Sequence, residues 1–67
     1  MISIHVNGEV LDVPEGLTIG ALLDWLKLPS DRVAVERNLE IVHRDQWSEV
    51  TVSPDDRFEV VHFVGGG

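Results

Sequence analysis

A chain of 67 residues makes one domain at most. A domain this short buries only about 60% of the surface its unfolded chain exposes, so a deep catalytic cavity is not expected. At 43% hydrophobic and 25% charged the chain should still fold around a single core, while the lack of cysteine excludes a disulfide frame, a zinc–thiolate site and a thiol nucleophile. Twelve acidic against five basic residues give a formal charge of −7, which argues against nucleic acid or an anionic membrane as partner. The charge favours a protein partner with a basic docking face, or serves solubility alone.

Ile2, Ile4 and Val6 alternate with Ser3 and His5, the period of a half-buried strand, and Asn7-Gly8 follows as a two-residue hairpin turn. The return strand runs from Glu9 to Val13 with Leu11 and Val13 inward, and Pro14-Glu15-Gly16 ends it. From Thr18 the period changes. Ile19, Leu22, Leu23 and Leu26 stand at i, i+3, i+4 and i+7, which predicts a helix of about ten residues capped by Thr18. Pro29 disfavours helical geometry at Leu28 and should stop it there.

Val33 and Val35 then alternate with Ala34 and Glu36, so strand, helix and strand make a crossover, of the right-handed kind if it joins parallel strands. That places the helix on the sheet face carrying Ile2, Ile4, Leu11, Val13, Val33 and Val35. Asn38-Leu39 turns the chain into a short strand from Glu40 to Val42. His43 to Glu49 reads as an irregular connection in which Trp47 plugs the rim of the core, and Val50 and Val52 as a further short extended piece. Ser53-Pro54-Asp55-Asp56 is a turn cluster, and Arg57 to Phe63 the last strand, with Phe58 and Val60 inward. The fold class is α+β: a mixed sheet of four to five strands with one main helix packed across one face. No basic, apolar leader opens the chain and no apolar run approaches the ~18 residues of a membrane span, so a cytoplasmic protein is expected.

Three of the six glycines, Gly65, Gly66 and Gly67, finish the sequence, where neither a core nor a turn needs them. A frayed terminus or linker would account for them. A functional tail also would: without Cβ atoms it threads a narrow channel, and residues 64–67 fully extended reach up to about 13 Å from the body. An α-carboxyl group is ionised at neutral pH and is a poor electrophile, so Gly67 must be activated before it reacts. Coupling it to AMP supplies a leaving group, and with no thiol in the chain a terminal thiocarboxylate becomes the plausible way to hold sulfur.

The Val6-Asn7-Gly8-Glu9 hairpin, the Val33-Ala34-Val35 strand leading to Asn38 and Glu40-Ile41-Val42, and the ending Val60-Val61-His62-Phe63-Val64-Gly65-Gly66-Gly67 resemble the ThiS family of sulfur carriers in thiamine biosynthesis. The resemblance implies a ubiquitin-like β-grasp domain over residues 1–63 and a flexible tail over 64–67. It implies a carrier rather than an enzyme, with no bound cofactor. A ubiquitin-activating-type adenylyltransferase would spend ATP with magnesium on Gly67, a sulfur donor system would convert the adenylate to a thiocarboxylate, and thiazole synthase would take the sulfur. Gly66 keeps the tail slim and Gly65 lengthens it. Phe63 and Val64, beside the tail, are the expected partner-docking residues, with a place in a satellite core as the alternative. Leu39 departs from the family, in which glycine commonly follows the asparagine of this turn.

His5, His43 and His62 lack metal-ligand spacing, and Asp55-Asp56 reads as a solvated turn rather than a cation site. Trp25 lies off the helical stripe, at the core edge or on a partner surface. Competing functions are the small subunit of molybdopterin synthase, a ubiquitin-like protein modifier and a passive interaction module.

Overall fold

A computed structural model describes residues 1–63. Strands β1 (Ile2–Val6) and β2 (Glu9–Val13) form an antiparallel hairpin, and helix α1 (Ile19–Trp25) crosses to β3 (Val33–Arg37). Strand β4 (Glu40–Val42) pairs back on β3, and β5 (Arg57–His62) completes the sheet. The sheet has five strands in the order β2-β1-β5-β3-β4. The last strand therefore lies at the centre, parallel to β1 and antiparallel to β3.

Period and burial agree along the covered face. Ile4 and Val6 of β1, Val13 of β2, Val33 and Val35 of β3, and Phe58 and Val60 of β5 are buried against Ile19, Leu22 and Leu23 of the helix. Ile2, Leu11 and Leu26 pack half-buried at its margin. Each fully buried side chain of this core stabilises the fold by roughly 1.5–3 kcal/mol on leaving water. Trp47 closes the rim as expected, with its ring buried and its Nε1–H donating to the Val42 carbonyl at 2.9 Å.

The helix is shorter than its apolar stripe predicts. Thr18 does cap it, its Oγ1 accepting from the Ala21 N–H, but the helix spans seven residues and ends with Leu26 as C-cap. Lys27 turns left-handed, with φ 60°; its N–H donates to the Asp24 carbonyl, and the Leu28 N–H donates to that of Leu23. Those two bonds satisfy carbonyls that a longer helix would have bonded, so a Schellman turn closes the helix before Pro29 can act.

Val50 and Val52 flank the expected short extended piece: Thr51 makes a single antiparallel bridge to Thr18 in the loop entering the helix, the Ile19 N–H donates to the Val50 carbonyl and the Val52 N–H donates to the Leu17 carbonyl. One other expectation is corrected. Asp55 is exposed as a turn residue should be, but Asp56 is buried. Its Oδ2 accepts from Arg37 Nε at 2.9 Å and from the Ser53 N–H at 2.8 Å, and its Oδ1 accepts from Asn38 Nδ2 at 3.1 Å. Burial alone pushes this carboxyl up. The Ser53 N–H, the Arg37 guanidinium and the Asn38 amide together outweigh that effect and hold it below the usual carboxylate range.

Candidate functional site

The last described residues, through Phe63, follow the central strand β5. The strand is clamped on both sides, and the two hairpin turns supply part of each clamp. On the β3 side the Asn38 N–H donates to the Arg57 carbonyl, the Arg57 N–H donates to Asn38 Oδ1, and farther along the Phe63 N–H donates to the Arg32 carbonyl at 2.9 Å. On the β1 side the backbone ladder ends with the Asn7 N–H donating to the Phe58 carbonyl. The Asn7 side chain then adds one more rung: Oδ1 accepts from the Val60 N–H at 2.8 Å and Nδ2 donates to the Val60 carbonyl at 3.1 Å. This carboxamide imitates a peptide unit where the β1 backbone has already turned, with Asn7 at φ 50° and Gly8 at φ 84°.

The helix covers one face of the sheet. On the other, β5 carries Arg57, Glu59 and Val61 in alternation, opposite Glu36 and Ala34 of β3, with Ile41 of β4 beside Glu36. This open face changes character along its length. At the Arg57 end a depression of about 220 Å³ is lined by His5, Glu36, Arg57 and Glu59 among others. Toward the end of β5 the lining becomes Ala34, Ile41 and Val61, and an adjoining groove of about 200 Å³ runs past Val33, His43, Arg44 and Trp47 to Phe63. Arg44 lies over the Trp47 ring, 5.5 Å from its centroid, and forms one wall of that groove.

Phe63 is half exposed, Ile41 is 67% exposed and Val61 is 59% exposed. Val64, Gly65, Gly66 and Gly67 lie outside the described residues. Sequence reasoning missed Ala34, Ile41 and Val61, although a signal was available: they occupy outward positions of strands, where a sheet facing only water carries polar side chains. Trp25 is 46% exposed at the end of the helix, well off the core stripe. Among the described residues no cluster of His, Asp or Glu has the arrangement of a metal site, and no helix is long and apolar enough to cross a membrane.

Comparison with known proteins agrees with this geometry. The crystal structure of a thiamine biosynthesis protein (ThiS) from Geobacter metallireducens superposes with a TM-score of 0.87 at 35% identity, covering 98% of this chain and 100% of that one. The sulfur carrier protein ThiS of Bacillus subtilis is 46% identical over 50 residues, 75% of this chain and 76% of its own. The thiazole synthase of Magnetococcus marinus is 45% identical over 64 residues, which are 96% of this chain but 20% of that protein. The chain thus spans about a fifth of the length of the thiazole synthases it matches. The profile of the ThiS family matches residues 3–67, from the first strand through all three glycines, and with a β-grasp sheet whose central strand leads into those glycines the chain belongs to the ThiS family.

Proposed function

We propose that this chain carries sulfur for the thiazole moiety of thiamine as a thiocarboxylate on Gly67. The observation that carries this reading is the family match running unbroken through the glycine end, combined with an apolar docking face beside the strand that leads to it. A ubiquitin-activating-type adenylyltransferase in the cytoplasm holds the open face through Phe63 and Val64, together with Ala34, Ile41 and Val61, while the slim Gly65-Gly66-Gly67 segment enters its active site. A carboxylate oxygen of Gly67 attacks the α-phosphorus of ATP, with magnesium shielding the phosphates, and pyrophosphate leaves. Sulfide released by the donor system then attacks the acyl carbon and expels AMP, which leaves the terminal thiocarboxylate. Thiazole synthase passes that sulfur to its substrate, and the acyl carbon takes an oxygen from water or from the substrate's carbonyl in exchange, which restores the Gly67 carboxylate. The chain itself supplies recognition and reach, and the partners supply the catalytic groups.

Relatives named thiazole synthase that include a region like this chain favour the thiazole route over the molybdopterin one. The test is intact mass after incubation with ATP, magnesium, the adenylating enzyme and a sulfur source. A gain equal to replacing one oxygen by sulfur, absent from a variant lacking Gly67, is expected. No gain, with an enzyme proven on another carrier, would sink the reading, and conjugates on lysines of other proteins would replace it with the modifier function.

A further inference from the structure

The residues of β5 alternate in the neighbour their backbone addresses. Arg57 and Phe63 bond toward β3, whereas Asp56, Phe58 and Val60 bond toward β1, through His5 and Asn7. By the same alternation His62 addresses the β1 side. No strand among the described residues stands there, because the register of β1 with β5 ends at Val6↔Phe58 and the chain reverses at Asn7-Gly8 into β2. Asn7 fills one rung, and among the described residues nothing fills the next. The sheet, closed by pairing on both sides of β5 up to Val60, therefore has an internal edge at His62, one residue before Phe63 and two before Val64. His62 is exposed, as are its neighbours Val61 and Phe63.

An open strand edge is a template for another extended backbone. Its position selects the occupant. It is continuous with the apolar end of the open face, and it immediately precedes a segment whose three glycines have no side chains to be recognised, so a partner must hold that segment by its backbone. We propose that the open edge of β5 at His62 takes an extended backbone segment of the adenylating partner as an added strand, which continues the ladder that the Asn7 side chain ends. This rests on the carrier reading above.

Proline at a rung that faces an open edge removes the N–H without breaking the ladder on the other side. In His62→Pro the bonds to β3 are kept, and His62→Ala controls for the imidazole. The expected result is a melting temperature for His62→Pro within a few degrees of His62→Ala, and a KM for carrier in adenylate formation raised about 3- to 10-fold relative to His62→Ala at unchanged kcat, the loss of one docking hydrogen bond. Equal KM values would overturn the inference and leave the carrier reading intact. A collapse of stability in His62→Pro would overturn it too, since the N–H would then already be engaged within the fold. An unmodified wild-type chain would remove both readings together.

Discussion

The two faces of this sheet carry comparable apolar residues to opposite ends. On the covered face Ile4, Val35 and Phe58 are 0 to 2% exposed, and folding explains them. On the open face Ile41 and Val61 are more than half exposed, and folding does not. Apolar residues on an outward face gain nothing from the chain's own collapse; under the proposed carrier function a partner covers them. The comparison breaks most visibly at Phe58. Phe58→Ala is expected to cost about 3–5 kcal/mol, much of the total stability of a domain this small, and denaturant titration should show it largely unfolded at physiological temperature. A loss below about 1 kcal/mol would mean that the covered face is not the core.

The second largest effect belongs to Asp56, the polar hub beside that core. Its carboxylate holds Arg37, Asn38 and the Ser53 N–H in one place, which ties the β3–β4 turn to the start of β5. Asp56→Asn keeps the shape but loses the charge-assisted bonds, and about 2 kcal/mol should go at neutral pH. Because the folded state lowers this pKa, the unfolded chain binds the proton more readily. The contribution is therefore complete above the unfolded value of about 3.9 and disappears as pH falls through the lower folded one. The variant's stability should accordingly vary less with pH below about 4 than the wild type's. Equally steep acid unfolding of the two would assign acid lability to other carboxylates.

The open face gives the reverse signature. Ile41→Thr with Val61→Thr keeps β-branched side chains on β4 and β5 and removes apolar contact area that is already in water. Stability should move by less than about 1 kcal/mol, while adenylation by the partner enzyme should need roughly tenfold more carrier. If stability falls and KM does not, the two faces differ only in degree.

What the sequence made legible was the covered face. The alternation of Ile2, Ile4 and Val6 and the spacing of Ile19, Leu22 and Leu23 are local periodicities that a core imposes directly, and with the turn residues such patterns placed all five strands almost to the residue. What stayed hidden depends on partners distant in sequence. The helix stops at a left-handed Lys27 that nothing in the stripe announces, and Asp56 is buried by Arg37 and Asn38, which stand 19 and 18 residues away. The Asn7 clamp on Val60 spans 53 residues. At the candidate site, the resemblance in the glycine end pointed to Phe63, but Ala34, Ile41 and Val61 had to be read against the alternation that had been used to find the strands.

The smallest effect separates the two hairpin turns. Both need positive φ at each central residue, and Asn7-Gly8 meets that need cheaply, whereas Asn38-Leu39 places a leucine at φ 72°. A left-handed conformation costs an L-residue with a Cβ roughly 1–2 kcal/mol, and Leu39, 90% exposed, recovers little of it by packing. Glycine removes the strain but adds backbone entropy to the unfolded chain, so Leu39→Gly should stabilise by a net ~0.5–1 kcal/mol, a rise of several degrees in melting temperature. The turn lies at the Arg57 end of the open face, away from Phe63, so adenylation should be unchanged in the same variant. Should stability rise while KM also rises, the leucine is held in strain because a partner touches it, and the docking footprint extends from the end of β5 across the whole open face.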